Sequence, residues 1–147
     1  MVMAKRPAAA RSPEGAESSA PSALGNWPVQ LALVHPHAPY LQDADLLVAA
    51  DCTAFALGNF HHRLLNGRTL VIACPKLDDI PPYIGKLAEL FRANRLRSLE
   101  VARMEVPCCR GIVRLVEEAL QAAGVAVPFR ETVVGVEGEV LEEISHP

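Results

Sequence analysis

Apolar and polar positions along this chain fall into a repeating unit: a short apolar run, then a segment whose apolar residues recur at helical spacing. The runs are Leu46–Ala50, Leu70–Ala73 and Ser98 to about Val106, and their aliphatic content is that of strands buried on both faces. Behind the first run, Phe55, Ala56, Phe60 and Leu64 predict a helix over Cys52–Leu65, closed by Asn66-Gly67. Behind the second, Ile84, Leu87, Leu90 and Phe91 predict a helix over Tyr83–Asn94, entered through Pro75 and the pair Pro81-Pro82. Behind the third, Ile112, Leu115, Val116, Ala119 and Leu120 predict a helix ended by Gly124, and Val127–Val134 reads as a last strand. Three strand-to-helix units with short joins predict an α/β fold, a single three-layer domain around a mostly parallel sheet with right-handed crossovers. Val29–Val34 also alternates as a strand does, until His35-Pro36-His37-Ala38-Pro39 breaks it.

Residues 1–25 differ in kind. Ala, Pro, Ser, Gly and charge dominate from Lys5-Arg6-Pro7 to Ser18-Ser19-Ala20-Pro21-Ser22. Such a composition buries too little surface to offset its ordering entropy, so a disordered tail is expected there, followed by one domain over residues 26–147. The domain should begin at Asn26-Trp27-Pro28, with the chain's one tryptophan packed at the edge of the core.

Charge and hydropathy exclude several classes. A formal net charge of -3 without a basic cluster argues against an electrostatic grip on nucleic acid or anionic lipid. The opening Met-Val-Met-Ala-Lys-Arg lacks the apolar run of a secretory signal, and no stretch of about 18 apolar residues spans a bilayer. A cytoplasmic protein keeps its thiols reduced, so its four cysteines are expected to serve metal or redox chemistry rather than disulfides.

Those cysteines are the candidate site. Cys52, Cys74, Cys108 and Cys109 each follow an apolar run and precede a helical segment. In an open α/β sheet, residues just past the carboxyl ends of parallel strands share one crevice, so the four thiols are expected to converge. Helix amino termini favour anions, so thiolates should form there, and Lys76, Arg103 and Arg110 offer compensating charge. The ordinary alternatives are buried small hydrophobes for the thiols and a solvated surface for the cations. No Cys-x-x-Cys is present, and the vicinal side chains of Cys108 and Cys109 point apart. A polynuclear cluster accommodates that better than one zinc ion does, and three cysteines with a fourth position open or otherwise filled is a second arrangement.

The neighbours are weaker candidates. His61 and His62 lie about 13 Å along a helix from Cys52 and should miss the site. His35 and His37 approach only from a loop. Asp51, Asp78, Asp79 and Glu105 bring hard oxygen, a poor competitor among thiolates, so helix capping is expected of Asp78 and Asp79 and a solvated loop position of Asp51 and Glu105. Phe55 and Pro75 are placed to limit water access, or simply to serve as core and loop residues. No G-x-G-x-x-G, G-x-x-x-x-G-K-[ST] or G-x-S-x-G occurs, which leaves nucleotide and serine-hydrolase chemistry without support.

The phrases Asn26-Trp27-Pro28-Val29-Gln30-Leu31, Ala38-Pro39-Tyr40, Asp51-Cys52-Thr53-Ala54-Phe55, Cys74-Pro75-Lys76-Leu77-Asp78 and Met104-Glu105-Val106-Pro107-Cys108-Cys109 resemble a bacterial and archaeal family. These are ferredoxin-like iron-sulfur-binding proteins, and the likeness is to their carboxyl-terminal domain, over about residues 24–136. Typical members carry a ferredoxin module ahead of that domain, where this sequence has the tail. The resemblance implies that Cys52, Cys74, Cys108 and Cys109 bind a cluster, 4Fe-4S rather than 2Fe-2S, with zinc as the alternative metal. The expected function is electron transfer with a separate redox protein partner, more a module than an enzyme, with no nucleic acid or membrane partner and room for a homo-oligomer. Metal handling with zinc, or thiol-disulfide exchange through Cys108 and Cys109, are the other readings.

Overall fold

A computed structural model describes residues 20–147 of this chain. Five strands, β1 (Asp45–Ala50), β2 (Thr69–Ala73), β3 (Ser98–Met104), β4 (Phe129–Val134) and β5 (Val140–His146), form one sheet in the order β2-β1-β3-β4-β5. The first four are parallel, and β5 returns antiparallel to β4. Val48 of β1 lies opposite both Val71 and Val101, which puts β1 at the centre of an aliphatic layer with no exposed face.

Helices α1 (Thr53–Ala56), α2 (Ile80–Ala93) and α3 (Gly111–Ala123) join the parallel strands. The step from β1 to β2 runs across the sheet in the direction opposite to the steps from β2 to β3 and β3 to β4. Right-handed crossovers therefore place α2 and α3 together on one face and the β1-to-β2 connection on the other. Leu87, Leu90, Ile112, Leu115 and Val116 form the apolar stripes of α2 and α3 and are all essentially sealed from solvent. Pro81 and Pro82 lie inside the first turn of α2, where a missing N–H costs no helical bond, so the helix begins ahead of the tyrosine at which the sequence reading starts it. Gly124 ends α3 in the left-handed region at φ 69, donating its N–H back to Gln121 and Leu120.

Three sequence expectations need correction. The helix expected over Cys52–Leu65 is broken: α1 stops where Leu57 turns extended, and the chain resumes as a π-helical turn over His61–Leu65. Leu57, Phe60, Leu64 and Leu65 supply the buried contacts, whereas Phe55 is 92% exposed. The strand expected over Val29–Val34 reduces to one parallel bridge, Gln30 to Ile72. Trp27 is 75% exposed rather than packed against the core, and the buried anchor of that segment is its neighbour Asn26. The tail expected over residues 1–25 falls mostly on residues 1–19, outside the described residues. Ala23 packs against the core and donates its N–H to Nδ1 of His61 at 3.0 Å.

Asn26 and Gln30 together close the outer edge of β2. The Asn26 amide accepts from Leu70 N–H at 2.9 Å and donates to Leu70 C=O at 3.0 Å, mimicking a strand partner. Two residues on, Ile72 donates to Val29 C=O at 2.8 Å and accepts from Leu31 N–H at 3.0 Å. Edge groups of a buried strand are thereby satisfied without a sixth strand.

Helices leave β4 and β5 partly uncovered, and buried ions fill in. Glu100, opposite Arg130 in the sheet, receives Arg68 at 2.8 Å, Arg130 at 3.2 Å and the Thr132 hydroxyl at 2.7 Å. On the α3 face, Glu131 accepts from Arg103 and from Nε2 of His146 at 2.9 Å, whose ring stacks on Phe129 with centroids 4.4 Å apart. Burial alone raises the Glu131 carboxyl, but hydrogen bonds from Arg103 and His146 and their charges hold it below the ordinary glutamate range.

Candidate functional site

Strand order reverses between β1 and its two neighbours, because the chain leaves β1 first toward β2 and later returns to pair β3 on the other side. At such a switch point the loops past the carboxyl ends diverge and leave a crevice. Cys52 lies two residues beyond β1, Cys74 directly beyond β2, and Cys108 and Cys109 in a 3-10 turn, Pro107–Arg110, between β3 and α3. All four cysteines are free thiols.

Cys108 and Cys109 share one turn, and Cys52 lies within electrostatic reach of Cys109. Cys109 is buried, and burial pushes its thiol up. A backbone hydrogen bond at Met104 acts the other way, and the neighbouring Cys108 and then Cys52 add to the rise. Its environment is thus the reverse of the thiolate-favouring one expected before a helix. Cys52 and Cys108 are exposed. Cys74 stands one strand away, half-buried, with its N–H held by Asp78 Oδ2 at 2.8 Å and its C=O accepting from Asp78 N–H at 2.9 Å. The ring of the next residue, Pro75, packs directly on Gly111 at the start of α3, so the Cys74 turn abuts the turn that carries Cys108 and Cys109. Among the described residues, no three His, Cys, Asp or Glu side chains surround a position for a single metal ion.

Residues around the thiols take roles the sequence reading did not assign. Asp51 is half-buried rather than solvated, and its Oδ1 is sealed from solvent without a hydrogen-bond partner among the described residues. Burial first, then the Asp78 carboxylate, raise Asp51, while the Gln30 side chain lowers it. Tyr83, in the first turns of α2, is raised by burial and then by its interaction with Asp78. Asp78 therefore braces the Cys74 turn instead of capping α2, whose cap residue Asp79 makes no side-chain cap bond. Glu105 accepts from Val136 N–H at 3.1 Å, tying the β3 exit to the β4–β5 turn. Acidic residues one, four and three positions from Cys52, Cys74 and Cys108 were the sequence signal for these contacts.

Other candidates fall elsewhere. His37 pairs with Glu89 at 3.0 Å in the second half of α2, toward the far end of the sheet, and His61 sits in the π-helical turn against Ala23. Arg103 is committed to Glu131 and to the carbonyl of Met104 on the α3 face, so it is not the free compensating charge expected of it. Lys76 and Arg110 are exposed. Phe55, almost fully exposed, does not close off the thiols; Pro75, on Gly111, is the residue that packs there. No helix among the described residues is long and apolar enough to cross a membrane.

Comparison with known proteins overturns the resemblance to ferredoxin-like iron-sulfur proteins. The family whose profile matches residues 38–146 is described as a Rossmann-like domain, not a ferredoxin-type one. An uncharacterized protein of Archaeoglobus fulgidus is 34% identical over 114 residues, 78% of this chain and 80% of that protein. No solved structure matches. The parallel sheet with its order reversal at β1 agrees with the profile, and the chain belongs to the Rossmann-like domain family.

Proposed function

We propose that this protein binds a thiolate-ligated metal cluster at the carboxyl edge of its sheet and exchanges electrons with a separate protein. Cys52, Cys108 and Cys109 supply the ligands, with Cys74 as the fourth. The observation that carries the reading is that all four thiols follow the carboxyl ends of β1, β2 and β3 at the strand-order reversal, with the Cys74 turn packed on the Cys108–Cys109 turn through Pro75 and Gly111. An all-sulfur donor set suits soft metals and iron-sulfur clusters over oxygen-loving cations. The side chains of vicinal Cys108 and Cys109 point apart, and a cluster, whose separate metal atoms accept ligands from different directions, suits them better than a lone zinc ion does. The exposure of Cys52 and Cys108 favours exchange with an outside partner.

Anaerobic reconstitution with iron and sulfide tests this directly. The expected product carries iron and acid-labile sulfide in comparable amounts, with broad visible absorption that is lost in Cys52→Ser and Cys108→Ser. Protein that stays colourless and iron-free after reconstitution rules the reading out. One bound zinc without sulfide replaces the cluster with a structural or metal-handling zinc site.

A further inference from the structure

Between α3 and β5, where the helix stops short of the sheet's edge, lies a groove of about 340 Å³ that has no part in the thiol chemistry. Arg103 forms its floor, Arg110 and Arg114 stand on the α3 side, and Glu142 on β5 faces them. The Arg103 side chain is only 7% exposed. Its Nε donates to Glu131 and its Nη1 to the Met104 carbonyl at 3.0 Å, and no hydrogen bond of Nη2 is found among the described residues. Asp51 Oδ1 is the one described side-chain N or O atom that is both sealed from solvent and unpaired, so Nη2 opens onto the groove that Arg103 lines. A buried guanidinium already neutralised by Glu131 thus keeps one amino group, Nη2, without a protein partner among the described residues.

The two other arginines have little to occupy them. Arg110 makes no ion pair among the described residues, and Arg114 reaches only Glu118, at 3.9 Å and with its side chain 78% exposed. Glu142 opposes two guanidinium groups, Arg110 with no ion pair among the described residues and Arg114 with one long, exposed pair to Glu118. Arginine forks match the oxygen geometry of phosphate and carboxylate, and a dianion answers this charge better than a monoanion. The geometry points to an oxoanion site in this groove, built by Arg103, Arg110 and Arg114 and suited to the phosphate of a small phosphate monoester. Val113 and Ile144 give the rest of such a ligand an apolar wall.

The site is read by titrating the full chain, free of metal, with inorganic phosphate, with phenyl phosphate and with acetate, following amide and arginine Nε–H resonances. Saturable shifts are expected at Arg103, Arg110 and Arg114, with phenyl phosphate binding at least as tightly as phosphate and acetate about tenfold weaker. Arg110→Ala and Arg114→Ala each weaken phosphate about tenfold, one charge-assisted contact apiece, and Glu142→Gln tightens it. Both arginines are exposed, so these variants fold even if an Arg103 variant does not. Shifts that never saturate, an affinity indifferent to Arg110 and Arg114, or acetate binding as well as phosphate would each overturn the site. The same titration on Cys52→Ser must give the same affinity, so the fate of the metal reading does not decide this one.

Discussion

The ring of Pro75 fills the space that a side chain at residue 111 would need: a Cβ built on Gly111 falls 2.8 Å from Pro75 Cβ. Gly111 has ordinary helical backbone angles, so the glycine is there for the close approach of two loops and not for backbone freedom. Gly111→Ala is therefore expected to destabilise the chain by about 1–2 kcal/mol through overpacking against a rigid ring, despite a helix-propensity gain of up to about 1 kcal/mol. Denaturant midpoints measure it, and a midpoint equal to or above that of the parent would remove the contact from the argument. The same variant should load less metal, because it pushes the Cys74 turn away from the Cys108–Cys109 turn.

Cys52, Cys108 and Cys109 are expected to separate stability from metal loading. Cys52→Ser and Cys108→Ser change exposed side chains, so metal-free stability should move by no more than about 0.5 kcal/mol while bound metal is lost. Cys109→Ser buries a hydroxyl in place of a thiol and should cost about 1–3 kcal/mol even without metal. Equal losses of stability in all three would mean that Cys52 and Cys108 are packed rather than open.

Glu131 sets an acid limit. Its folded pKa is depressed, so the stability it contributes is fully present above the ordinary glutamate value of 4.5 and is lost as pH falls through the lower folded value. Glu131→Gln leaves Arg103 buried without its counter-charge and should cost about 3–5 kcal/mol at neutral pH. The gap between parent and variant should hold from neutral pH down to about the ordinary glutamate value and shrink below it. A gap that widens on acidification contradicts the assignment.

Asn26→Ala exposes the edge pairing to test. Leu70 loses both the acceptor for its N–H and the donor to its C=O, a cost of about 1–3 kcal/mol. Hydrogen exchange at Leu70 should accelerate while Val71, bonded inward, keeps its protection. Unchanged exchange at Leu70 would mean that solvent or another group already serves this edge.

The parallel core was legible because β1 and β2 are aliphatic runs bounded by turn residues, β3 and β4 keep apolar residues between their charges, and α2 and α3 carry clean stripes. The return strand β5 was not. Val140-Leu141-Glu142-Glu143-Ile144-Ser145-His146 pairs like with like in place of alternating, since an edge strand with no fully buried position has no core to write its pattern. The helix expected after Cys52 breaks for a related reason: Ala56, Phe60 and Leu64 keep helical spacing in sequence even though the chain turns extended at Leu57. For the site, strand ends located the thiols correctly along the sheet edge, but a reading of periodicity carries no information on which loops touch. The Pro75–Gly111 contact depends on which loops the sheet brings together, and the Asp78 brace on Cys74 on how one side chain folds back within its own turn. Family likeness misled more than pattern did, for the short phrases around the cysteines suggested a ferredoxin-type relative where the profile match is to a Rossmann-like domain.

The amide of Asn26 and the bridge at Gln30 leave the sheet growable at one border only, along β5. Two chains joined through that border would each present a closed side outward, so backbone association ends at a pair and cannot propagate into a fibre. Glu142 and Glu143, side by side on β5, would meet their own copies there and set a repulsive toll on even that first step.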